Sequence, residues 1–77
     1  MIARNEIRQA VRWLETTDAR FMREIERQWG HRAPVNARYR PELDDRGTRE
    51  ARAAFRRAGA RAARVWHECR RQVIAYA

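Results

Sequence analysis

Few side chains in this sequence are equipped for covalent or acid–base chemistry, and they stand apart from one another. Cys69 is the single thiol, and His31 and His67 are the only imidazoles. Asp18 is the one carboxylate that falls within an apolar stripe. A nucleophilic thiol needs a base or cation that stabilises the thiolate, and a bound metal needs three or four donors at ligand spacing. Neither pattern is present. The three glycines, Gly30, Gly47 and Gly59, are too dispersed for a phosphate-cradling loop, and the chain has no serine. Cys69 is therefore expected as a small core thiol, and Asp18 as a paired carboxylate facing Arg57 or Arg61 of a neighbouring helix. The sequence predicts a protein that is not an enzyme, with no catalytic residues, no metal site and no cofactor.

What remains is the recognition of anions. All eighteen basic residues are Arg, and the net charge is +8. From Arg46 onward nine Arg stand against Glu50 and Glu68, a net +7 concentrated in one stretch. At about 100° per residue, Arg49, Arg52, Arg56, Arg57, Arg61, Arg64, Arg70 and Arg71 fill one side of a helix, and His67 joins them. Guanidinium binds carboxylate or phosphate through paired hydrogen bonds, so such a face suits an acidic protein surface or a nucleic-acid backbone. Glu6, Glu15, Glu24 and Glu26 are interspersed with the Arg of the preceding helix, with Arg20 and Glu24 at i, i+4, so that helix reads as self-neutralised. Trp13 falls beside its apolar stripe, near Gln9, Arg20 and Glu24. An exposed Trp among Arg has the composition of a binding hot spot, with packing against the connector or a second copy as the alternative.

Two helices must position these residues. Ile7, Val11, Leu14, Phe21, Ile25 and Trp29 recur at three, four or seven and predict a first helix over about 3–29. Asn5 or the chain start would cap it, and Gly30 would end it in a left-handed conformation. Residues 31–45 contain Pro34 and Pro41 and have no clean period, so about 30–45 is expected as an ordered connector. Within it Val35, Tyr39 and Leu43 would fold back over the hairpin end, and Pro41 would begin a short helical turn. Asp44, Asp45 or Thr48 would open a second helix over about 46–76. Its stripe comprises Ala51, Phe55, Ala58, Ala62, Val65, Cys69, Val73 and Tyr76. Trp29 and Trp66 are expected at the edges of the two cores.

The expected fold is all-α: a single domain over 1–77, two long antiparallel amphipathic helices joined by a Pro-containing connector. In the register set by size, Ala51, Ala54 and Ala58 face Phe21, Met22, Ile25 and Trp29, and Val65, Cys69, Val73 and Tyr76 face Ile7, Ala10, Val11 and Leu14. A hairpin of this size leaves apolar edges uncovered, and a second copy forming a dimeric four-helix bundle would cover them.

The absence of Lys and the fourteen Ala indicate GC-rich codons, as in a GC-rich bacterium or its phages. No stretch approaches the roughly 20 apolar residues of a membrane span, and MIARNEIRQAVRW has no run of signal-peptide length. The expectation is a soluble protein of the bacterial cytoplasm with no membrane partner. In size and class the chain is similar to the small helical proteins with which phages and mobile elements block host machinery, anti-CRISPR proteins among them. That likeness implies an inhibitor or regulator docked on a larger host protein. Direct, largely sequence-independent nucleic-acid binding through the same Arg face is the alternative.

Overall fold

The computed structural model describes residues 3–75, with side chains to Val73. Tyr76 of the expected stripe and the side chain of Ile74 lie outside the described residues. Helix α1 spans Arg4–Trp29, and helix α2 spans Arg46–Ala75. Between them run three short 3-10 turns, Gly30–Arg32, Ala37–Tyr39 and Pro41–Leu43. The helices pack antiparallel: Thr48 meets Glu24, Phe55 meets Phe21, and Arg61 meets Trp13. No strand occurs among the described residues.

Local chemistry accounts for the helix ends. Helix α1 begins after Ala3 without a side-chain cap, so Asn5 lies inside the first turn rather than capping it. The Ala3 carbonyl accepts the N–H groups of Glu6 and Ile7. Gly30 ends the helix with φ 59°, donating its N–H to the Glu26 carbonyl; an L side chain there would be strained. Asp45 caps α2, its carboxylate accepting the Thr48 N–H at 2.9 Å and its carbonyl the Arg49 N–H. The same carboxylate receives Arg27 Nη2 at 2.8 and 2.9 Å, which ties the start of α2 to the end of α1. Gln28 holds the return of the connector, donating to the Leu43 carbonyl at 2.7 Å and accepting the Asp45 N–H at 3.1 Å.

The core is confined to the closed end of the hairpin. Phe21, Ile25, Ala37 and Ala51 form it, with Trp29 and Phe55 packed against its edge. The Phe21 and Phe55 rings are tilted with centroids 5.7 Å apart. Ala37, rather than Val35 or Tyr39, is the connector residue that enters this core. Asn36 adopts a left-handed turn with φ 69°, and Val35 and Tyr39 are left 84 % and 76 % exposed. Leu43 is half-buried.

Farther toward the open end, Ala10 and Ala58 are buried, and Thr17 is buried with its hydroxyl bonded to the Trp13 carbonyl. Leu14 and Val65 are half-buried there, but Ile7, Val11 and Val73 are exposed; Met22, expected in the closed-end seam, is exposed on the connector side, where Arg38 reaches its sulfur. Trp66, expected as core, is 64 % exposed, and no third element among the described residues lies over that part of the seam. The molecule is a rod of 51 × 19 × 18 Å with a radius of gyration of 15.7 Å, against about 11.5 Å for a compact chain of its length. Its accessible surface is 6250 Å², where a compact monomer of this mass exposes about 4,900 Å².

Candidate interaction surface

The outer side of α2 is built by a periodicity that puts Ala and Phe toward α1 and Arg toward solvent. Whether those Arg are available for a partner depends on where the carboxylates go. Ion pairs join Glu24 and Asp45 to Arg27, Asp18 to Arg38, Glu42 to Arg40 and Asp44 to Arg52. The only two acids of α2, Glu50 and Glu68, take Arg46 and Arg71. The remaining acids, Glu6, Glu15 and Glu26, are exposed on α1. Arg56, Arg57, Arg64 and Arg70 consequently have neither an ion pair nor a side-chain hydrogen bond among the described residues, and all four are exposed. Arg57, Arg64 and Arg71 repeat every seven residues, about 10.5 Å apart along a straight helix. Arg49 flanks them and reaches only the Asp44 carbonyl, at 3.4 Å.

Arg52 departs from the expected Arg face. Its side chain is 7 % exposed and faces an Asp44 that is 3 % exposed, with N–O distances of 2.6 and 2.8 Å. Its other donors reach the carbonyls of Ala37 and Arg38, and its guanidinium lies 4.7 Å from the Phe21 ring centroid. The bond to Asp44 raises the Arg52 pKa, and Arg52 fastens the connector to α2 rather than presenting charge outward. Forty degrees of helix rotation separate it from Arg56. The connector reaches one and not the other.

Asp18 is likewise held by the connector, not by α2. Arg38 Nη2 sits 2.5 Å from the Asp18 carboxylate, and the same guanidinium lies over Phe21 and Phe55 at 5.4 and 5.1 Å. The expected partners Arg57 and Arg61 point elsewhere. Arg61 lies with its guanidinium carbon 4.8 Å from the Trp13 ring centroid, a cation–π contact across the hairpin. Trp13 remains 51 % exposed and lines a shallow depression with Gln9, Arg12, Thr16 and Arg61. Helix α1 pairs Glu24 with Arg27, not with Arg20. His67 is exposed and shares an open depression with Arg64, Glu68 and Arg71. Cys69 is a free, half-buried thiol among Ile7, Ala10, Val11, Ala62, Val65 and Trp66.

The arrangement therefore presents a rigid cationic strip along α2, an Arg-topped Trp13 on one edge of the seam and an apolar furrow on the other. Sequence reasoning did not single out Arg38, which braces the connector. Its charge is unremarkable in an Arg-rich chain, and no local period marks it. Among the described residues no three His, Cys, Asp or Glu side chains converge as metal ligands, and no helix is long and apolar enough to cross a membrane. Comparison of the chain with protein-family models, with curated proteins and with solved structures finds no match in any of the three.

Proposed function

We propose that this protein is a small non-enzymatic binding protein that docks the outer face of α2 on an acidic surface of a larger protein or complex, as a regulator or inhibitor. The observation that carries the reading is the set of exposed, unpartnered Arg56, Arg57, Arg64 and Arg70 on one rigid rod, whose local acids are already engaged. Exposed guanidinium groups without an ion pair have no intramolecular bond to break before they meet a carboxylate, and opposite charge accelerates encounter. Arg49 and Arg71 extend the strip, and Trp13 with Arg61 supplies an aromatic contact at its edge. Arg52 is left out of the binding set.

A second reading uses the same strip on phosphates, because a net +7 along α2 attracts a nucleic-acid backbone as readily as an acidic groove. Pairing of two hairpins into a four-helix bundle is a competing way to cover the open end, and the molar mass in solution separates it from a monomer. The deciding experiment titrates the protein with random duplex and single-stranded DNA and RNA at ~50 and ~200 mM salt, beside the Arg56→Glu, Arg57→Glu, Arg64→Glu variant. Protein recognition predicts weak or absent nucleic-acid binding even at the lower salt. Tight binding at ~50 mM that collapses at ~200 mM, with log K falling by about 0.9 per phosphate contact as log salt rises, and that vanishes in the triple variant would replace it with nucleic-acid binding.

A further inference from the structure

The two helices share one long furrow on the side where the connector lies, and the connector fills only part of it. On α2 the furrow is lined at spacings of seven, four, three and four by Phe55, Ala62, Trp66, Cys69 and Val73; on α1 Val11, Asp18 and Met22 follow the same rule. At the closed end Ala37 and Arg38 cover it, with Arg38 on Asp18 and over Phe55. Among the described residues the cover stops beyond Asp18. Ile7, Ala10, Val11, Ala62, Val65, Trp66 and Cys69 then line an open apolar groove, with Val11 48 %, Trp66 64 % and Val73 69 % exposed. The exposed apolar area is on the order of 400 Å², the size of a functional patch on a monomer.

The charges around this groove select what fills it. On the α1 rim Arg4 and Arg8 lie seven and three residues before Val11, and Glu15 lies four after it. On the α2 rim Arg70 lies four residues after Trp66 and three before Val73. All four charged residues are exposed. A second copy carries the same excess of positive charge on its rims, three Arg against one Glu, and like charges oppose its approach. An occupant with acidic flanks gains from the same geometry.

We infer that the open-end groove receives one amphipathic helix of the partner protein, its apolar stripe on Val11, Trp66 and Val73 and its acidic flanks against Arg4, Arg8 and Arg70. The sign of the flanking charge rests on the reading that the partner is an acidic protein; the apolar groove does not. This helix continues the cover that the connector begins, and the hairpin becomes three-layered along its length. Residues 62–73 span roughly 17 Å at 1.5 Å per residue, so a helix of about 12 residues fills the groove.

The test uses two synthetic helical peptides of about that length, lacking Trp and sharing one Leu stripe, the stripe flanked by Glu in one and by Lys in the other. Binding to the full-length protein is read by its Trp emission and by calorimetry, with sedimentation of the free protein alongside. The Glu-flanked peptide is expected to bind at least tenfold more tightly than the Lys-flanked one and to shift Trp emission to the blue. Val11→Asn with Trp66→Ala should weaken it at least tenfold, and the Arg56→Glu, Arg57→Glu, Arg64→Glu variant by no more than about threefold. Equal affinity for both peptides, no binding, or indifference to the groove variant overturns the inference. So does a dimer of the free protein that Trp66→Ala dissociates, which would make the occupant a second copy. Should nucleic acid prove to be the ligand of the outer strip, these peptide results still judge the groove by themselves.

Discussion

Replacing Asp44 with Ala removes the counter-charge from a guanidinium that has almost no access to water. Arg52 and Asp44 are 7 % and 3 % exposed and share two bonds of 2.6 and 2.8 Å. In the variant, Arg52 keeps its donors to the carbonyls of Ala37 and Arg38 and its place over Phe21. Its charge then stays buried without a partner, which costs about 3–5 kcal/mol. A domain of this length has a total stability of about 4–11 kcal/mol, so the variant should lose between about a quarter and all of it. The assay is urea unfolding followed by helical ellipticity, with the midpoint and slope fitted together. Arg56→Ala, on the exposed face, is the control and should fall within about 0.5 kcal/mol of the parent. Arg52→Met combined with Asp44→Leu removes both charges and should recover a substantial part of the loss, because an apolar pair of similar volume carries no desolvation penalty. A loss below about 1 kcal/mol for Asp44→Ala, or a double variant no better than the single, would refute the claim that this pair secures the connector.

Three other outcomes follow from the start and the middle of α2. The Thr48 N–H, and then Arg27, hold the Asp45 carboxyl below its ordinary value of 3.8. A depressed folded-state pKa stabilises the protein above the unfolded value, and that contribution is lost as pH falls through the folded one. Melting temperature should therefore drop below about pH 4, less steeply in Asp45→Asn, and a carboxyl NMR titration of Asp45 with a midpoint at or above 3.8 would contradict the cap. Gly59 lies inside α2 with open space where a Cβ would stand, so Gly59→Ala should raise stability by about 0.5–1 kcal/mol in the same urea assay. At Gly47 a Cβ would come within 2.9 Å of Arg27 and Glu24, so alanine there should gain less than at Gly59, and an equal gain would mean that the closed end is looser than described.

Both helices were legible in the sequence because their causes are local. Apolar residues at three, four and seven drew α1 and α2, Gly30 supplied the positive φ that ends the first, and Asp45 the carboxylate that starts the second. The size-matched register was readable in part: Ala51 meets Phe21 and Ile25 at the closed end, and Val65 and Cys69 meet Ile7, Ala10 and Val11 at the open one, whereas Met22 and Val73, expected in the seam, are exposed. The concentration of positive charge on α2 needed only counting. The connector was not legible in this way. Its left-handed Asn36 and three 3-10 turns turn Ala37 inward and leave Val35 and Tyr39 outside, an outcome that no period encodes.

The candidate surface changed most where the connector reaches. A helical wheel groups Arg52 with Arg56, and Asp18 with α2, because it contains only the angle around one axis. Tertiary structure decides which partner each guanidinium meets, and it assigned Arg52 to the buried Asp44, Arg38 to the half-exposed Asp18 and Arg61 to the Trp13 ring. It also showed that covering stops partway along the furrow, leaving Trp66 exposed where its apolar character had suggested core. The sequence alone thus determined two amphipathic helices and a cationic face, through interactions within a few residues of each other. That Arg52 leaves the cationic face while Arg56 stays on it, and where the apolar furrow is covered, was decided by the path of residues 30–45 in space, since such pairing and burial depend on neighbours far apart along the chain.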